Sequence, residues 1–178
     1  MCLGYMGFYI KEYFSNYALH RSDVTHDFWT GQVSFFNRIL EDWRVTLIDT
    51  GLNTMTGGRL KRIRELLGEQ TFLMTYGDGV ADIDIHALVA FHRSHGKQAT
   101  VTAVQPPGRF GVLELDHNGI VGSFREKPRD EIGWINGGYF VLQPSVIELI
   151  GADETEWERT PLEELEQNPI RLEHIRIS

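Results

Sequence analysis

The sequence predicts an α/β fold built on a mostly parallel mixed sheet, and three observations carry that expectation. Short apolar, β-branched runs alternate with helix-period segments along most of the 178 residues, the pattern of successive βα units. Four polar, glycine-bearing loops border these runs, at the strand ends where open α/β sheets take their ligands. One tight hairpin signal, Asp116-His117-Asn118-Gly119 between apolar stretches 112–115 and 120–124, adds antiparallel strands. No repeat, low-complexity tract or linker divides the chain, so residues 1–178 are expected to form one domain.

Each element has a local reason. Tyr9, Ile10, Tyr13, Phe14 and Tyr17 recur at helical spacing within residues 3–19 and predict a helix with a core-facing stripe. Residues 33–36 and 44–49 read as strands, and a polar loop then leads to a helix over 59–67, stopped by Gly68. Thr71-Phe72-Leu73-Met74-Thr75 reads as a buried strand that delivers Tyr76-Gly77-Asp78-Gly79 to its C-terminal mouth. A helix over 83–95 is introduced by Asp82 or Asp84 and closed by Gly96, and β-branched 99–104 is the next strand. Pro106-Pro107-Gly108-Arg109-Phe110-Gly111 forms a rigid loop. Residues 139–142 make a strand stopped by Pro144, and Ser145 opens a helix. Thr160-Pro161-Leu162-Glu163 has the form of a capping box with proline at the first helical position.

Composition narrows the function classes. A net charge of −8 argues against non-specific nucleic-acid binding. Cys2 is the single cysteine, which excludes an internal disulfide and a zinc knuckle. No apolar run approaches the roughly 18–20 residues of a membrane span, and Lys11 and Glu12 interrupt any signal-peptide core. A cytoplasmic protein with no membrane and no nucleic-acid partner is expected.

The chemistry-bearing residues sit in the four loops. In Thr54 to Arg59, paired Gly57 and Gly58 expose backbone N–H groups and Arg59 suits a phosphate or a base edge; a plain helix N-terminal turn reads equally well. Asp78 between Gly77 and Gly79 reads either as a tight turn or as a metal or phosphate site. Gly111 follows Arg109-Phe110 where a ligand could touch the main chain. Glu126-Lys127-Pro128 and Asn136-Gly137-Gly138 supply a carboxylate for sugar hydroxyls, an ammonium for phosphate and an amide that donates and accepts. Alone, Glu126-Lys127 is also an ordinary solvated strand end.

Taken in order, Thr56-Gly57-Gly58-Arg59, Tyr76-Gly77-Asp78-Gly79, Phe110-Gly111, Glu126-Lys127-Pro128 and Asn136-Gly137-Gly138 resemble the nucleotidyltransferases that activate sugar 1-phosphates, over nearly the whole chain. Longer runs, such as Phe91-His92-Arg93-Ser94-His95-Gly96-Lys97 and Val45-Thr46-Leu47-Ile48-Asp49-Thr50-Gly51, resemble the branch that uses CTP and glucose 1-phosphate. The resemblance implies a Rossmann-like three-layer nucleotide-diphospho-sugar transferase fold and formation of CDP-glucose and pyrophosphate with Mg²⁺, for bacterial surface polysaccharide (O-antigen) dideoxyhexoses. It implies that Asp78 holds the metal and that Thr54, Gly57, Gly58, Arg59 and Gly77 contact the nucleotide. Gly111, Glu126, Lys127, Asn136 and Gly137 would form the sugar-phosphate pocket, with Lys127 on the phosphate and catalytic together with Asp78. A homo-oligomer is implied as well.

The match begins partway into the family pattern. Met1-Cys2-Leu3-Gly4-Tyr5 resembles the end of the second strand, so the first strand, its Gly-Gly-x-Gly-Thr-Arg loop and, beyond residue 178, a second metal-binding Asp are expected to be lacking. A partial domain follows as the expectation, either a fragment or a chain completed by a partner. Two alternatives stand beside CDP-glucose synthesis. One is a non-catalytic remnant that binds sugar phosphate or a homologous subunit, and the other is transfer from UTP or dTTP. His92 and His95 are expected to pack or cap rather than bind metal. Trp29, Trp43, Trp134 and Trp157 are expected in the core or an interface, and the acidic stretch Glu154 to Glu166 reads as a solvated helix face.

Overall fold

The structure is a computed structural model of the 178-residue chain and describes residues 1–105, 112–115, 121–125, 134–167 and 172–177. In chain order its elements are β1 (Cys2–Leu3), α1 (Gly7–Ser15), α2 (Tyr17–His20), β2 (Asp23–Asp27), β3 (Gln32–Phe36), β4 (Ile48–Asp49), α3 (Thr56–Arg62), α4 (Arg64–Leu67), β5 (Phe72–Thr75), α5 (Ile85–His95), β6 (Ala99–Val104), β7 (Val112–Leu115), β8 (Val121–Arg125), β9 (Ile135–Leu142), a 3-10 helix (Pro144–Leu149), α6 (Thr160–Glu166) and β10 (Leu172–Ile177).

The main sheet has the order β10-β6-β9-β5. β10 and β6 run parallel, while β9 is antiparallel to both β6 and β5. Three strands therefore share one direction and one opposes them, in line with a mixed sheet that is mostly parallel. β1 and β4 pair in parallel separately, and β2–β3 and β7–β8 are antiparallel hairpins.

Strand alternation builds three layers, because successive side chains point to opposite faces. Ala99, Phe140 and Leu142 face the main core, where they meet Leu60 of α3, Val146, Ile147, Ile150, Trp157 and Leu165. Thr100 faces the other way and meets α5 through His92 and His95. The α5 helix starts as its sequence suggests: the Asp84 carboxylate accepts the Ala87 N–H at 2.9 Å, and Gly96 ends it in the left-handed region.

Several expectations are corrected. The aromatic stripe of α1 faces outward: Tyr9, Ile10 and Tyr13 are all exposed. Its periodicity is real, but Tyr13 meets the rings of Tyr17 and His20 on the short α2 beside it rather than a core, and no residue of α1 is buried. Of the four tryptophans only Trp157 is buried in the core, whereas Trp29 is 96% exposed. The helix expected over 59–67 begins earlier, at Thr56, and breaks at Ile63 into α3 and α4. β5 is the described edge of its sheet and only partly buried, with Leu73 exposed. The capping box does not form, because Thr160 lies inside α6 and the helix has no side-chain cap. The helix opening at Ser145 is a 3-10 helix.

Candidate functional site

The carboxyl ends of β5 and β6 meet the start of β9, and this edge gathers the predicted residues. Thr75 pairs with Tyr139, and Ala103 pairs with Asn136 across a register shift in β6. Tyr76-Gly77-Asp78-Gly79 thus leaves β5 beside Asn136-Gly137-Gly138. Gly138 has φ +80°, and a Cβ there would sit 3.0 Å from the Tyr76 ring, so two independent constraints require glycine. The Tyr139 hydroxyl donates to the Gly79 carbonyl at 3.2 Å and ties the loop to β9. Asp78 is exposed in this loop, and neither flanking glycine has a neighbour within 4 Å of an added Cβ. The carboxylate therefore stands in open space between two residues that leave the backbone accessible.

Tyr76 is the hub of the edge. Its hydroxyl accepts from the Asn136 side-chain N–H at 3.4 Å, and the Glu158 carboxylate lies near it. Burial, followed by the nearby Glu158 carboxylate, pushes its phenol well above the ordinary tyrosine value. The Asn136 amide is oriented by its other end, since Oδ1 accepts the Gly138 N–H at 2.7 Å.

The Thr54–Arg59 segment reaches the same region through Glu158, whose carboxylate accepts the Thr56 hydroxyl at 2.6 Å. Its glycines do something other than expose N–H groups. The Gly57 and Gly58 N–H groups donate to the Thr155 carbonyl at 2.9 and 3.2 Å. A Cβ on Gly57 would lie 2.7 Å from that oxygen, and one on Gly58 would collide with the Asp153 backbone. The pair lets α3 lie directly on the 153–157 segment. Thr54 is buried, and Met55 N–H donates to the Asp153 carbonyl at 2.8 Å. Arg59 turns toward β1 and β4, donating to the Leu3 carbonyl at 2.9 Å and the Thr50 hydroxyl at 2.7 Å. Lys61 and Arg62 complete the seam. Lys61 donates to the carbonyls of Ile150 and Gly151, and Arg62 forks onto Asp153, whose carboxyl it holds below the usual range.

Asn136, Gly137, Gly77 and Asp78 are thus brought together, and Thr54, Gly57, Gly58 and Arg59 lie behind the Glu158 bridge. Gly111, Glu126 and Lys127 lie outside the described residues. Sequence reasoning missed Tyr76 and Glu158 as site residues. Tyr76 was in view only as the flank of Asp78, and Glu158 was absorbed into an acidic run. His92 and His95 serve the packing of α5: each ring nitrogen facing Thr100 lies 2.8 Å from its hydroxyl.

The Nucleotidyl transferase family model matches residues 46–176. The chain is 54% identical over 168 residues to glucose-1-phosphate cytidylyltransferase of Salmonella typhimurium, covering 94% of this chain and 65% of that protein. It is 39% identical over 166 residues to a relative from Bacillus subtilis, covering 93% of this chain and 64% of the relative. The chain therefore spans about two thirds of the length of these relatives. Among solved structures, a UTP-bound UGPase from Acinetobacter baumannii superposes with TM-score 0.51 at 13% identity, over 74% of this chain and 52% of that one, a likeness of fold.

Proposed function

The chain belongs to the nucleotidyl transferase family, and from that premise we propose that it is a glucose-1-phosphate cytidylyltransferase domain, residues 1–178, that joins CTP and glucose 1-phosphate. The observation that carries this reading is the 54% identity over 94% of the chain to a relative of that name. The grouping of Asp78 with Asn136 and Gly137 at one sheet edge supports it.

In the reaction a phosphate oxygen of glucose 1-phosphate attacks the α-phosphorus of CTP. The new P–O bond forms as the bridging α,β bond breaks, and pyrophosphate leaves with its electrons. The nucleophile is already ionised at neutral pH, so the protein's work is positioning and charge neutralisation. Asp78 offers the exposed oxygen donor that a hard cation takes beside nucleotide phosphates. No group of three ligating side chains surrounds it among the described residues, so the phosphates would supply most of the remaining oxygens. Mg²⁺ bound by Asp78 would supply charge neutralisation for the triphosphate. Gly77 and the Thr54–Arg59 segment serve the nucleotide side. Gly111, Glu126, Asn136 and Gly137 are assigned to the sugar, and Lys127 to its phosphate. A homo-oligomer in the cytoplasm, supplying CDP-glucose for surface polysaccharide (O-antigen), fits the substrates.

Pyrophosphate release from CTP and glucose 1-phosphate with Mg²⁺ tests this directly. Asp78→Asn is expected to reduce turnover by at least about 10²-fold, the scale of losing a metal-held charge in the transition state. Turnover with UTP or dTTP above that with CTP would replace the nucleotide in this reading. Calorimetric heat from glucose 1-phosphate with none from CTP would make the chain a sugar-phosphate binder without catalysis.

A further inference from the structure

The loop that carries Asp78 is held from β9 by one side chain, Tyr139. The backbone of that residue is gripped from both sides. It pairs with Thr75, the last residue of β5. Where β6 shifts register, the Thr102 hydroxyl accepts the Tyr139 N–H and donates to the Tyr139 carbonyl, both at 3.2 Å. Thr102 is fully buried, so this anchor has little room to move. Phe140 lies in the core, which turns the Tyr139 ring to the opposite face of the sheet. From there its hydroxyl donates to the Gly79 carbonyl at 3.2 Å. A carbonyl can only accept, so the direction of this bond is fixed. Between the paired Thr75 and the tethered Gly79 stand Tyr76, Gly77 and Asp78. Tyr76 is set by an edge-to-face contact with Phe140, ring centroids 6.0 Å apart at 82°. Gly77 and Asp78 then form a turn, and past Gly79 the chain runs exposed through Asp82. Among the described residues no other side chain bonds the stretch 77–83, up to the Asp84 cap of α5.

We propose that Tyr139 is a positioning residue for Asp78: by holding the Gly79 carbonyl, its hydroxyl sets the Asp78 carboxylate in place for the cation that accompanies the nucleotide phosphates. This rests on the functional reading given above. Asp78 has a glycine on each side, so its segment has the widest backbone freedom a chain can have. A carboxylate on such a segment loses that freedom when a ligand engages it, and the loss weakens binding. The tether removes much of the freedom beforehand, because Asp78 is then confined between the packed Tyr76 and the bonded Gly79. The strand that supplies the tether also carries Asn136 at its start. One rigid element therefore sets both the nucleotide-side carboxylate and the sugar-side amide in a common frame. The hydroxyl is the part that matters, since a bare ring at this position would keep the sheet contact and lose the tie.

The test compares the wild-type chain with Tyr139→Phe, which keeps the ring and removes only the hydroxyl. Calorimetry reads CTP with Mg²⁺, CTP with EDTA, and glucose 1-phosphate. Hydrogen exchange reads the amides of 78–81, and a thermal melt reads the fold. The expected result is about fivefold weaker CTP binding with Mg²⁺, the scale of one neutral hydrogen bond, together with faster exchange at 78–81. CTP binding in EDTA, glucose 1-phosphate binding and the melt should not change. In an Asp78→Asn background the same substitution should make no further difference. Unchanged exchange would show that the hydroxyl is no tether and overturns the proposal. Faster exchange with unchanged CTP binding, or equal losses with and without Mg²⁺, overturns the role toward Asp78. A merely structural role would weaken both ligands together as the melt falls, and that result overturns it too. No CTP heat from wild type overturns the functional reading itself, and the positioning role with it, while exchange still reports on the tether alone.

Discussion

Residues 1–45 and residues 46–167 are both supplied with large apolar side chains but use them in opposite ways. In the first stretch Leu3 is the one buried apolar residue, while Phe8, Tyr9, Tyr13, Phe28, Trp29 and Trp43 all stand exposed. In the second, Phe140, Leu142, Val146, Ile150, Trp157 and Leu165 are closed against one another. The family match, over 46–176, covers the second stretch and leaves out the first. Periodicity tells which side chains could share a buried face, but burial needs an opposing surface as well. The sheet β10-β6-β9-β5 supplies that surface to α3 and α6, whereas α1 and the β2–β3 hairpin have no described layer over them.

Substitutions sharpen this contrast. The largest effect is expected at the seam between α3 and the 153–157 segment. Gly58→Val should remove the cooperative melt, or lower stability by more than about 3 kcal/mol, because the new side chain meets backbone that cannot give way. Denaturant titration reads it, and a melt within about 1 kcal/mol of wild type would show that the seam is not part of the packed unit.

A smaller effect is expected from acid. Burial, then the neighbouring His95 and Arg93 charges, lower the His92 value below its ordinary 6.5. Its ring fits the neutral form, with the Gln143 side chain on one nitrogen at 2.9 Å and the Thr100 hydroxyl on the other at 2.8 Å. The unfolded chain takes up the proton first, so the His92 contribution is fully present above the ordinary histidine value. It is lost as pH falls from there toward the folded value. Comparing the melts of wild type and His92→Gln across that window should show a steeper acid loss for wild type, and equal slopes would refute the assignment. The smallest effect belongs to the hairpin tip: Trp29→Ser should stay within about 0.5 kcal/mol in the same denaturant titration. A larger loss would mean that residues 1–45 do pack against the core.

Legibility from sequence followed the range of the interactions. Local devices read well: Asp84 and Gly96 bracket α5, Gly68 stops α4, and the β-branched run of β6 is a strand. The Asp78 loop also read well, since glycines beside a polar group mark a strand end whatever lies across from them, whereas Asn136-Gly137-Gly138, expected as a loop before a strand at 139–142, lies within the first half of β9. Non-local roles did not read well. A Gly-Gly pair that opens its N–H groups to a ligand and one that admits another backbone look the same in one dimension, and Gly57-Gly58 proved the second kind. Glu158 was hidden for the same reason, because nothing in an acidic run tells which carboxylate faces a tyrosine more than eighty residues upstream.

The seam between α3 and the 153–157 segment also sets a timetable. Thr56 and Glu158 are 102 positions apart, and closing a loop of that length costs about 4 kcal/mol in chain entropy before any contact repays it. On a ribosome adding roughly 5–20 residues per second, the α3 segment emerges several seconds before its docking partner exists. With two adjacent glycines its own helical tendency is low, so it waits as an unformed strip. The pairing of β5, β6 and β9 must come first and shorten the effective loop, which makes helix α3 a late event in a chain where it stands early.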